Sequence, residues 1–151
     1  MIEFKNILLT TDLSSNAGVA RPYAIDLAKK YGGTLHLLHV FEDAGYYREA
    51  GGVDSVPFGP VEWIERTQAE RRKELIERAA LIEKEGGIRT IPELRIGHAV
   101  TEILAHAKET SADVIVMATH GHTGVAHFVF GSVAEKVVRM STCPVLTVRP
   151  K

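Results

Sequence analysis

Fifteen residues from Ala118 to Ser132, ATHGHTGVAHFVFGS, hold three glycines and three histidines between an apolar run and a helical pattern. Glycine lacks a Cβ, so it lets backbone N–H groups come close to a ligand and accepts positive φ. Ser132-Val133-Ala134-Glu135 has the S-x-x-E form of a capping box, which predicts a helix start at Ser132. A helix N-terminus presents unpaired N–H donors and the positive end of the helix dipole, which suits an anion. The chemistry this spacing suits is phosphate binding, with Gly121 to Gly124 at one end and Gly131-Ser132 at the other. The same residues also suit a plain glycine-rich turn into a capped helix, and spacing alone leaves both readings open. Neither G-x-x-x-x-G-K-[ST] nor G-x-G-x-x-G is present.

Other residue types give weaker patterns. His120, His122 and His127 in HGHTGVAH match no zinc spacing and have no second cysteine beside them, so no metal ligand is assigned. His36 and His39 fall in a strand pattern and are expected to be packed or hydrogen-bonded. His98 and His106 fall on one helix and are expected to face water or a strand end. Ser14, Ser15 and Ser132 sit at expected helix starts, where capping explains a hydroxyl without catalysis. No G-x-S-x-G elbow occurs, so no catalytic residue is assigned.

These residues need a scaffold, and the hydrophobic periodicity supplies one. Strand patterns run over 6–12, 34–41, 88–97, 113–118 and 144–148, separated by helical patterns. Ala20, Tyr23, Ala24, Leu27, Ala28 and Tyr31 form one stripe of the first helix, with Pro22 near its first turn. Ile64, Leu75, Ala79 and Ile82 mark the inner side of the long charged second helix, and Val100, Ile103, Leu104 and Ala107 that of the third. Pro92 places the third strand at an edge or a bulge. The order βαβαβαβαβ implies a doubly wound parallel sheet of five strands, apolar on both faces at its centre. Ligands in such a sheet sit beyond the carboxyl ends of the strands, where the winding reverses. Those ends carry Thr10-Thr11-Asp12, His39-Val40-Phe41, Arg95-Ile96-Gly97 and Ala118-Thr119-His120-Gly121.

The bulk numbers narrow the class. A chain of 151 residues, 45% hydrophobic and 25% charged, fits a single globular domain. A formal net charge of -1 offers no basic surface for nucleic acid or an anionic membrane. No basic and apolar leader opens the chain, and no apolar run approaches the roughly 20 residues of a membrane span. The single cysteine, Cys143, is expected to be a small buried residue of a cytoplasmic protein. The loop 42–60 carries Tyr46, Tyr47 and Phe58 ahead of Trp63, aromatics that suit a lid or a subunit contact.

Over nearly its whole length the chain resembles the universal stress protein family. ILLTTDLS at the start, VIVMATHGHTG and GSVAEKVVRMSTCPVLTVRP carry the likeness, together with Gly121, nine residues, then Gly131-Ser132. The resemblance implies a homodimer of flavodoxin-like, adenine nucleotide alpha hydrolase-like domains, strand order 3-2-1-4-5, binding ATP, ADP or AMP with or without Mg²⁺. It implies that Thr10, Thr11 and Asp12 border the adenosine and that Val40 meets the adenine through its backbone. Ala118, Thr119, His120, Gly121, His122, Thr123, Gly124, Gly131, Ser132 and Val133 would wrap ribose and phosphates. Asp12 at a strand end also suits a turn or cap. Ala118 replaces the first glycine of the family pattern, and His122 stands where Lys or Arg is common, which lowers the expected affinity. The dimer is expected to form through the last strand, Val145 to Val148. The alternatives are a nucleotide-independent dimeric adaptor or scaffold, or a very slow ATPase with at most weak ATP hydrolysis.

Overall fold

A computed structural model describes residues 1–42, 61–119 and 131–150 of the chain. The expected loop residues Tyr46, Tyr47 and Phe58 lie outside these, as do His120, Gly121, His122, Thr123, Gly124 and His127. Among the described residues five strands, β1 (Asn6–Thr10), β2 (Thr34–Phe41), β3 (Thr90–Ile96), β4 (Val114–Ala118) and β5 (Val145–Val148), alternate with four helices. The helices are α1 (Arg21–Tyr31), α2 (Val61–Gly86), α3 (Ala99–Glu109) and α4 (Ser132–Met140). All strand pairs are parallel, in the order β3-β2-β1-β4-β5 that the family resemblance implied.

Strand alternation divides the core into two layers. Ile7, Leu9, Leu35, Leu37, Val114 and Val116 pack on Ala24, Ile25 and Ala28 of α1 and on Leu75, Ala79 and Ile82 of α2. Leu8, Leu38, Ile115 and Met117 point the other way, onto Val100, Ile103 and Ala107 of α3 and Ala134 and Val137 of α4. Each buried Leu or Ile side chain contributes about 1.5–3 kcal/mol, so neighbouring residues of one strand hold opposite helix layers. At the opposite end of the sheet Asp113 ties β1 to β4: its Oδ2 accepts the N–H of Lys5 at 2.7 Å and of Asn6 at 2.8 Å. Pro92 costs little, because β3 is an edge strand with β2 as its partner.

Local details depart from the periodic pattern. A 3-10 turn, Asn16–Ala20, precedes α1, and Pro22 sits in its first turn as expected. The buried stripe of α1 is Ala24, Ile25 and Ala28, whereas Tyr23 is 52% exposed. Trp63 is exposed near the start of α2. Cys143 is half-buried and packs against the second core layer, and its N–H donates to the Ser141 hydroxyl.

His106 is the main correction on this level, because it is buried rather than facing water. Its ring stands edge-on to His36 at 6.0 Å, and no hydrogen-bond partner meets its Nε2 among the described residues. Arg95 lies beside it, with Nη1 3.5 Å from His106 Nδ1 and ion pairs to Glu102 at 2.7 Å and Glu109 at 2.6 Å. Burial is the largest cause lowering the pKa of both rings; each is lowered further by a neighbouring cation, Arg95 for His106 and Arg89 for His36, while Glu93 and Glu109 oppose the shift at His106. Folding thus favours the neutral rings, and the unfolded chain takes up protons first as pH falls. Their stabilising effect is complete above the unfolded pKa near 6.5 and is lost as pH drops through the lowered folded values. Urea midpoints are expected to fall between pH 7.5 and 5, with a shallower fall in His106→Leu. An equal slope in that variant would show that the decline arises elsewhere.

Candidate functional site

Parallel strands end together, and the ends of β1, β2 and β4 here enclose a cavity of about 470 Å³. From β1 and the turn after it come Thr10, Thr11 and Asp12; from β2 comes Val40; from β4 and its end come Ala118 and Thr119. Gly131, Ser132 and Val133 close the far side at the start of α4. Of the expected strand ends, Arg95-Ile96-Gly97 does not line this cavity, whereas the expected nucleotide-site residues that lie among the described residues all do. The remaining ones, His120, Gly121, His122, Thr123 and Gly124, lie outside the described residues. Thr119 and Gly131, which bracket that stretch, are joined by a 2.7 Å bond from the Gly131 N–H to the Thr119 carbonyl. Thr119 and Gly131 thus meet at one point of the cavity wall.

The turn after β1 is held tightly. Leu13 adopts φ 66°, a left-handed conformation that costs a leucine free energy and persists only where its surroundings impose it. Thr11 Oγ1 accepts the Leu13 N–H at 3.0 Å, and Asp12 Oδ1 accepts the Ser14 N–H at 2.9 Å as well as the Ser14 hydroxyl. Arg78 Nη2 donates to the Leu13 carbonyl at 2.7 Å. Asp12 therefore fills the turn role and lines the cavity at once. From β2, His39 Nδ1 lies 2.9 Å from the Thr11 carbonyl, which only accepts, so Nδ1 carries the proton. Burial lowers the pKa of His39 most; Arg71 adds to the fall, while the Thr11 bond, Asp12 and Glu74 oppose it.

The opposite wall corrects the capping-box expectation. Helix α4 does begin at Ser132, but Gly131 is its cap residue, no side-chain capping bond forms, and Ser132 is exposed. The first turn closes through the Glu135 N–H on the Gly131 carbonyl at 3.0 Å. With no side chain taking them in a capping bond, the first amides of α4 lie where Gly131, Ser132 and Val133 face the cavity. Ala118 raises no backbone problem, because it sits in β4 in register with Val148 and is not among the positive-φ residues. Its methyl group only occupies space.

Several lining residues escaped sequence reasoning. Leu38, Ile103, Met117 and Ala134 make the apolar walls. Glu42 lies at the rim, where its Oε1 accepts the Ala99 N–H at 2.8 Å and so caps α3. Arg71 enters from α2, about two turns before Arg78 on the same helix. Among the described lining residues the permanent charges are Asp12, Glu42 and Arg71. The imidazole among them, His39, donates from Nδ1 to the backbone carbonyl of Thr11. The arrangement suits holding a flat, partly apolar group beside an anion.

Comparison with known proteins agrees with this architecture. The model of the Universal stress protein family matches residues 3–149. Universal stress protein YxiE of Bacillus subtilis is 32% identical over 149 residues, covering 97% of this chain and 99% of that protein. The solved structure of the protein MJ0577 superposes with a TM-score of 0.78 at 25% identity, covering 99% of each chain. A universal stress protein from Archaeoglobus fulgidus, solved in complex with dAMP, has a TM-score of 0.66 at 22% identity and covers 97% and 98% of the two chains. With fold, strand order and family model all in agreement over nearly every residue, the chain belongs to the universal stress protein family.

Proposed function

We propose that this chain binds an adenine nucleotide, ATP, ADP or AMP, in the cavity at the ends of β1, β2 and β4, and acts as a dimeric regulatory protein of stress adaptation. The observation that carries the reading is the convergence of Thr10, Thr11, Asp12, Val40, Ala118, Thr119, Gly131, Ser132 and Val133 on one cavity. Its volume of about 470 Å³ lies within the range of sites that enclose small ligands. The base takes the apolar side near Val40 and Leu38, and the phosphates take the side of the α4 amides. The dAMP complex of the Archaeoglobus fulgidus relative supports the ligand class. Mg²⁺, when a triphosphate is bound, would neutralise phosphate charge; Asp12 is the carboxylate on the β1 side of the cavity that such an ion would meet.

For the dimer, the support is the edge strand β5. Leu146 is 36% exposed on it, and Val138 and Met140 of the adjoining α4 are exposed at 46% and 59%. An open edge with apolar neighbours calls for cover, which a second copy supplies.

Calorimetry with ATP, ADP and AMP is expected to give saturable binding; no heat with any of them would refute the reading. Ala118→Gly removes the methyl group that crowds the ligand at the cavity wall and is expected to tighten ATP binding about fivefold, relief of one overpacked methyl being worth about 1 kcal/mol. Unchanged or weaker affinity would mean the ligand does not approach β4. Leu146→Asp is expected to convert the protein to a monomer in light scattering, and a dimer that survives it would place the interface elsewhere.

A further inference from the structure

Resting on that nucleotide reading, we propose that Arg71 is a ligand-binding residue that makes the cavity select phosphorylated over unphosphorylated adenosine compounds. A polyanion entering this cavity meets two carboxylates, Asp12 and Glu42, and among the described lining residues one permanent cation, Arg71. Without it the formal charge of the described wall falls from -1 to -2, counting Asp12 and Glu42 against Arg71. The stretch ATHGHTG contains no lysine or arginine, so a permanently charged side chain for the phosphates would have to come from another element.

The way Arg71 is held suits exchange onto a ligand. Glu74 lies one turn along α2, and its Oε1 is gripped by Arg78 through Nη2 at 2.7 Å and Nε at 3.2 Å. The same Nη2 of Arg78 holds the Leu13 carbonyl, which anchors Glu74 to the turn that carries Asp12. The other oxygen, Glu74 Oε2, faces Arg71 Nη1 at 3.5 Å, a longer contact than those of Arg78. Arg71 is thus aimed by a fixed carboxylate but bound to it loosely, and its side chain remains 40% exposed. A phosphate oxygen can take over the guanidinium while the Arg78–Glu74–Leu13 clamp stays intact. The planar fork of arginine matches two phosphate oxygens, which a point charge cannot do.

Affinities for ATP and for adenosine, measured by calorimetry on wild type, Arg71→Gln and Arg71→Lys, test this. Arg71→Gln is expected to weaken ATP about tenfold or more, the effect of losing a hydrogen bond to a charged group, and to leave adenosine within about twofold. Its ATP affinity should also depend less steeply on salt, and Arg71→Lys should fall between the two. Arg71→Gln that binds ATP as wild type does, or that weakens ATP and adenosine equally, overturns the assignment while nucleotide binding itself stands. Wild type that binds neither ligand overturns the nucleotide reading and this inference with it.

Discussion

Strands β1 and β4 lie side by side, and the helices that follow them leave toward opposite faces of the sheet. Helix α1 packs with the layer of Ile7 and Leu9, and α4 with the layer of Leu8 and Ile115. With each helix drawn to its own face, the ends of the two strands stay uncovered and a crevice remains between Asp12 and Gly131. The alternation of apolar residues that builds two core layers is therefore also what opens the cavity. A sheet wound to one side only would have covered it.

Keeping that crevice shaped has a local cost, visible at Leu13. Its left-handed backbone is offset by Thr11, Asp12 and Ser14 within the turn and by Arg78 from α2. His39 adds a bond from β2 to the carbonyl of Thr11. Two elements distant in sequence, α2 and β2, thus converge on one turn, so the position of Asp12 depends on tertiary contacts as well as on local preference. That coupling joins the cavity to the charged face of α2.

Much of this was legible in the sequence, for identifiable reasons. Strands buried on both faces read as continuous apolar runs, and VIVMA marks β4 as a strand inside the sheet, while ILL marks β1 only as a strand. Glycines and strand ends located the cavity residues, and the family resemblance supplied the strand order. The inner face of α1 was misjudged at Tyr23 because periodicity fixes a stripe only to within a residue, and Ile25 took the buried place. Ser132 was taken as a cap from its S-x-x-E pattern, but Gly131 holds that position without a side-chain bond. His106 looked polar and therefore outward, yet three residues after Ile103 it lies on the buried side of α3.

Arg71 and Arg78 were hidden in a charged run that reads as a solvated surface. A signal existed: Arg71 stands four residues before Leu75 and Arg78 three after it, which puts both beside the buried stripe of α2. Charges at apolar spacing on a helix facing a strand-end crevice mark residues that reach into it. Glu42 left no such trace, because its capping of α3 bridges two elements far apart in the chain.

The central claim, that an adenine nucleotide occupies the crevice between β1 and β4, is tested most directly by mapping amide shifts of ¹⁵N-labelled protein during titration with ATP. The account predicts saturable shifts concentrated at Thr10 to Asp12, Val40, Ala118-Thr119 and Gly131 to Val133, with the amides near Asp113 at the other end of the sheet unmoved. Shifts centred away from these strand ends, or none at saturating ATP, would contradict it.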